Sequence, residues 1–176
     1  MKRIVRRNTF ETNSSSTHAI CIATESKLYF PDSLHFKLGE FGWEFSVLDD
    51  PESKASYLFT AIVHLNEDES RMKLPIDEWY EICWIKDVLA RYGVEATFQD
   101  PPWEKFNYSD GYFLGYGYID HGYELSDFLN DVLVYEDLLI KFLFTDASYI
   151  LTGNDNSYHN VHITAEYPHE EYYKGN

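Results

Sequence analysis

Apolar residues in the middle of this chain recur at helical spacing, and that periodicity limits the architectures open to it more than any other feature. Ala55, Leu58, Phe59, Ile62 and Val63 fall on one face of a helix whose start is marked by Asp49-Asp50-Pro51-Glu52. A second stripe, Trp79, Ile82, Cys83, Ile85, Val88, Leu89 and Tyr92, begins near Pro75-Ile76-Asp77-Glu78 and ends at Gly93, the residue type suited to a helix C-terminus. Residues 124–133 and 135–144 predict further helix, broken near Val134. Short segments of strand character surround these stripes: 2–7, 19–23, one or two strands within 28–50 with turns at Pro31-Asp32-Ser33 and Gly39, then 94–98, 112–119, 149–152 and 161–165. Residues 99–111, with Pro101-Pro102, read as a loop, and the chain from about residue 166 reads as a polar, flexible tail. Strands towards both ends and helices between them predict one domain over residues 1–176. Its class is α+β (or α/β), a mixed β-sheet with three to four helices.

Charge bears on what such a domain can bind. The formal net charge is −16, from 30 acidic and 14 basic residues. Lys2, Arg3, Arg6 and Arg7 concentrate positive charge at the start, so the remainder is still more acidic than the whole. A surface of that sign repels nucleic acid in general and suits a basic protein partner, including one that itself handles nucleic acid. The 15 Tyr and 12 Phe supply rings that bury area while a hydroxyl stays wet, a composition common at partner surfaces. Cys21 and Cys83 both lie in apolar runs and read as buried free thiols, with neither zinc spacing nor a disulfide framework. No apolar run approaches bilayer length, and the basic start is not followed by the apolar core of a signal peptide. The expected location is therefore the cytoplasm, with no membrane partner.

The polar run Phe10-Glu11-Thr12-Asn13-Ser14-Ser15-Ser16-Thr17-His18 lies between two strand-like segments, which would hold its side chains in place. Glu11 could act as a general base or metal ligand, and His18 as a general acid or base near neutral pH. Asn13, Ser14 and Ser15 are suited to hold a phosphate or developing charge, and Arg6 to bidentate phosphate contact. The same composition also describes a loop whose hydroxyl and amide groups only cap local backbone.

Three further segments could carry chemistry. Ile119-Asp120-His121 ends a strand with a carboxylate beside an imidazole, or is a plain turn. Thr152-Gly153-Asn154-Asp155-Asn156 is a turn by composition that also sets Asn154 and Asp155 at a strand end. Gly39-Glu40-Phe41-Gly42-Trp43-Glu44 could stack on a base, but reads better as core packing. His159 and His162 would point to opposite faces of a strand, which argues against a metal pair.

Taken together, these segments resemble a family of small phage and prophage proteins from Gram-positive bacteria. The resemblance rests on the opening run after its basic start, on Glu40 to Trp43, on Lys54 with Ser56-Tyr57-Leu58, on Ile119 to His121, and on Gly153 to Asn156. It covers most of the chain. The opening run is its specific part, and the later motifs are individually weak. The family looks linked to type II anti-CRISPR proteins, including ones that shorten the Cas9 guide RNA. What the resemblance implies is a mobile-element anti-defence protein whose partner is Cas9 or another host nucleic-acid-handling protein, with guide RNA as a candidate substrate for a ribonuclease or other phosphodiesterase. The residues that match its motifs are the site candidates, and the resemblance assigns them no roles; by side-chain chemistry Glu11, His18, Asp120 and His121 are the catalytic candidates and Arg6, Asn13, Ser14, Ser15, Asn154 and Asp155 the substrate-binding ones. No cofactor is fixed, although Glu11, Asp120 and Asp155 could bind Mg²⁺ if the fold brings them together. Two other readings stay open: an acidic stoichiometric inhibitor that mimics nucleic acid without catalysis, and a nucleotide-binding or nucleotide-processing anti-defence protein.

Overall fold

A computed structural model of the protein describes residues 16–25, 27–42, 44–66, 71–106, 112–120, 125–154 and 169–174. The expected strands at 2–7 and 161–165 lie outside them. Among the described residues the fold is α+β, with four α-helices and a set of small sheets.

The central helix, α1 (Pro51–Leu65), starts where the sequence says it should. The Asp50 carboxylate accepts from the Ser53 N–H at 2.9 Å, Pro51 occupies the first turn where its missing N–H costs nothing, and Glu52 complements the positive end of the helix dipole. Ala55, Leu58, Phe59, Ile62 and Val63 are all buried. Helix α2 (Tyr80–Arg91) follows a 3₁₀ turn at Ile76–Glu78 and buries Ile82, Ile85, Val88 and Leu89. It closes on Gly93 at φ +76°, where the Gly93 N–H donates to the Ala90 carbonyl and the Val94 N–H to that of Leu89. Those are the two bonds that satisfy carbonyls left over at a helix end. Cys83 and Tyr92 are corrections to the expected stripe. Cys83 is an exposed thiol, because it lies off the Ile82-Ile85-Leu89 face, and its Sγ donates to the Asp77 carbonyl. Tyr92 is exposed beyond the last turn. Helices α3 (Ser126–Val132) and α4 (Glu136–Phe144) are separated at Val134, as expected, and bury Phe128, Phe142 and Leu143 against α1 and against each other.

The main sheet has strand order β10-β1-β9-β4 and is antiparallel throughout. Its members are β1 (Ser16–Ala23), β4 (Ser46–Leu48), β9 (Tyr149–Asn154) and β10 (His169–Lys174). Strand β1 begins three residues before the expected segment, so Ser16, Thr17 and His18 of the polar run are strand. Residues 169–174, read from sequence as flexible tail, form an edge strand on β1 instead, because backbone pairing does not require apolar side chains. The remaining strands pair in twos. They are the parallel pairs β2 (Ser33–Phe36) with β5 (Glu95–Phe98) and β3 (Glu40–Phe41) with β8 (Tyr118–Ile119), and antiparallel β6 (Trp103–Lys105) with β7 (Tyr112–Leu114). Strand β6 lies inside the expected 99–111 loop, where Pro101-Pro102 masks a pairing supplied by β7. Helix α1 packs on β2 and β8, and α4 on β1. Among the described residues no helix is long and apolar enough to cross a membrane.

Candidate functional site

His18 lies near the start of β1, opposite Thr152 of β9, and one residue earlier Thr17 lies opposite Gly153. Ser16 pairs with Asn154. The pairing therefore sets the end of the opening run directly beside Gly153-Asn154, which composition reads as a turn but which is the paired end of strand β9. The third segment arrives through the small parallel pair. Phe41 pairs with Ile119, and the Asp120 N–H donates to the Phe41 carbonyl at 2.9 Å. This bond leads the chain to Gly42, whose φ of +136° is reached readily only by glycine. A Cβ placed on Gly42 would lie 2.7 Å from the Asp120 Cβ and 3.2 Å from His18 Nε2. His18, Asp120 and the Gly153-Asn154 backbone thus meet at one corner of the main sheet.

His18 is fully buried, at 1% exposure, and its orientation is set from α1. A hydrogen bond of 3.1 Å joins His18 Nδ1 and the Tyr57 hydroxyl, and the two rings are tilted at 51° with centroids 5.9 Å apart. Tyr57 is itself buried and receives Phe41 edge-on at 5.1 Å. One turn along α1, Thr60 accepts from the Gly39 N–H at 2.9 Å while donating to the Ser56 carbonyl. Tyr57 and Thr60 thus tie β3, and with it Gly42, to the helix. Thr152 donates to the Glu44 carbonyl at 2.7 Å and fixes the chain on the far side of that glycine.

Outside this corner opens a cavity of about 320 Å³, lined by Glu40, Gly42, Glu44, Ser46, Tyr118 and Thr152. His18 is behind its wall, sharing the corner with Gly42 and paired with Thr152. Glu40 and Glu44 make the wall acidic, so an unaccompanied phosphate meets repulsion there unless a cation accompanies it. Among the described residues no three His, Cys, Asp or Glu side chains come together as metal ligands.

Lys54 is a further buried polar group of α1, fully out of solvent. Its Nζ donates to the Thr145 carbonyl at 2.6 Å and the Ser148 carbonyl at 3.0 Å. Burial pushes the Lys54 ammonium down to about 8, while Asp49, Asp50 and Asp146 pull it upward. Ser148 in turn donates to the Lys141 carbonyl and accepts from the Ala23 N–H, so the turn before β9 is fastened to α1, α4 and β1 together. At the helix start, partial burial would raise the Asp50 carboxyl, but bonds from the Ser53 hydroxyl and from backbone N–H groups bring it below its ordinary value.

Of the candidates from sequence, His18 and Asp120 are brought together, and Asn154 is joined to them through its backbone. Arg6, Glu11, Asn13, Ser14, Ser15, His121 and Asp155 lie outside the described residues, as does Trp43. Sequence reasoning missed Tyr57 and Gly42 as parts of the corner, and Lys54 as the buried cation that ties α1 to the turn before β9. Lys54 and Tyr57 each interrupt an apolar helical face, which is a legible signal, since a polar group in a core needs a partner. Comparison of the chain with models of known protein families, with curated proteins and with solved structures finds no match.

Proposed function

We propose that the chain is an anti-defence protein of a mobile genetic element that acts on type II Cas9 and shortens its guide RNA. One observation carries the chemical part of the reading. The His18 end of the opening run, Asp120 and the Gly153-Asn154 end of β9 meet at one corner, with the imidazole oriented by Tyr57. In the reaction the half-buried Asp120 carboxylate takes the proton of a ribose 2′-hydroxyl while His18, buried behind it, holds the corner; the freed oxygen attacks the adjacent phosphorus, and the 5′-oxygen leaves with a proton from water. The products are a 2′,3′-cyclic phosphate and a 5′-hydroxyl end. Arg6, Asn13, Ser14 and Ser15 are the groups suited to hold the phosphate. The acidic surface supplies no general affinity for RNA, so the protein partner would deliver the substrate.

The test is guide RNA incubated with the protein, free and bound to Cas9, with and without Mg²⁺. Shortened RNA with cyclic-phosphate ends, abolished in Asp120→Asn, is the expected result. RNA of unchanged length under all conditions removes the reading.

A second reading is favoured by the −16 charge and by Glu40 and Glu44 at the cavity wall. The chain would then occupy a basic nucleic-acid channel without catalysis. Inhibition of Cas9 that survives in Asp120→Asn, leaves the RNA intact and weakens steeply with salt would select it.

A further inference from the structure

Away from the His18 corner, the segment before β2 lays a row of aromatic side chains over the ends of two helices. Leu28 bridges to Thr145, and the Tyr29 N–H donates to the Phe144 carbonyl at 3.0 Å, so the row is fixed by backbone bonds. Phe30 stacks on Tyr92 at 5.2 Å and packs on Phe144 at 5.0 Å. Even so, Tyr29 is 55% exposed and Phe30 40%. Such rings are costly to leave wet and, being already ordered, lose little entropy on docking.

Tyr29 also forms one wall of a cavity of about 210 Å³ between this row and the start of α1. Pro51 and Phe144 give that cavity an apolar lining, while Asp49, Asp50 and Asp146 bring carboxylates to it. An apolar floor under an acidic rim fits a side chain with an aliphatic stem and a cationic head. Lys27 over the Tyr29 ring at 4.8 Å shows that the ring accepts a cation on one face. Arginine fits better than lysine, because its planar guanidinium can stack on Tyr29 and bond a carboxylate with two N–H groups at once. Nucleic acid is disfavoured by the three carboxylates, and a second copy of this chain by the −16 charge that both would carry.

We infer that the Tyr29–Phe30 row and the Asp49/Asp146 cavity are a docking surface for an arginine-bearing segment of a basic protein partner. The surface is independent of whatever reaction the His18 corner performs.

The probe is a fluorescent peptide of alternating arginine and leucine, measured by anisotropy against the full chain, with lysine-for-arginine and glutamate-for-arginine versions. Expected are saturable one-to-one binding of the arginine peptide, weaker binding of the lysine version and none of the glutamate version. Tyr29→Ala, which leaves every charge in place, and the double change Asp49→Asn with Asp146→Asn should each weaken binding roughly tenfold. Thermal melts confirm that both variants fold, and removal of two carboxylates elsewhere, Glu78→Gln before the start of α2 with Glu104→Gln on β6, should leave binding unchanged. The inference is overturned if no arginine peptide binds, if Tyr29→Ala binds normally, or if the distant charge changes weaken binding as much as the local ones. It is also overturned if a labelled RNA binds and competes at the row, or if the chain self-associates through Tyr29.

Discussion

His18 Nε2 lies 3.2 Å from the point a side chain on Gly42 would first occupy, and the Asp120 Cβ lies 2.7 Å from that same point. The corner therefore has room for a glycine and for nothing larger. Gly42→Ala must either push Asp120 away or abandon the φ of +136°, at a cost on the order of 1–3 kcal/mol. A lower melting temperature by several degrees is the expected result, and the RNA shortening proposed above should be lost in the fraction still folded. A melting temperature within a degree of the parent would show that the corner is more forgiving than its geometry states.

Tyr57→Phe removes only the hydroxyl that bonds His18 Nδ1, since the ring keeps its edge contact with Phe41. Loss of one buried hydrogen bond should reduce stability by about 1 kcal/mol in urea titrations. It should also free the imidazole to rotate, broadening or shifting the His18 ring resonances in NMR spectra. Spectra and stability both unchanged would mean that the bond does not orient the ring.

At the start of α1, Asp50→Ala deletes the cap and should cost about 1 kcal/mol, whereas Asp50→Asn should recover most of it, because an amide oxygen caps as well as a carboxylate. Hydrogen exchange at the Ser53 amide reads this directly: fast in the alanine variant and near the parent rate in the asparagine one. Equal rates in all three proteins would assign the helix start to packing alone.

Lys54 gives a pH dependence whose sign is fixed. The unfolded chain holds the Lys54 proton up to about 10.5, the folded chain only to about 8. Between those values the unfolded state binds more protons, so stability rises with pH, by on the order of 3 kcal/mol across the window. Below 8 both states are charged and the burial penalty is felt in full. The neutral amine keeps two N–H groups, enough for the Thr145 and Ser148 carbonyls. Urea titrations of the parent and Lys54→Met from pH 7 to 10.5 should show the difference moving in favour of the parent as pH rises. A flat or falling difference would refute the assignment.

The helices were legible because burial writes a 3.6-residue period into sequence, and α1 and α2 appear where Ala55 to Val63 and Ile82 to Leu89 place them. What was not legible depends on distant pairing. Thr17 and His18 are strand because Gly153 and Thr152 lie alongside, and nothing local to the polar run reports that. Lys54 and Tyr57 could be flagged as polar groups on an apolar face, but Thr145, Ser148 and His18 could not be named as their partners without the fold. Gly42 becomes a constraint only once β3 lies parallel to β8 and brings Asp120 across from it. Residue chemistry singles out His18 and Asp120, and it is the β3–β8 pair, with Gly42 between them, that makes them neighbours.

The order β10-β1-β9-β4 has a consequence for how the chain comes into being. During translation β1 leaves the ribosome before its partners, since among the described residues it pairs with segments made much later, Cys21 with Tyr149 on one side and Ala23 with His169 on the other. Until then Ile20 and Ile22 belong to a strand with two open edges, the form most prone to capture by another nascent chain. Helices α1 to α4, whose contacts are more local, can form while β1 waits, so the His18 corner is among the last parts of the molecule to be assembled.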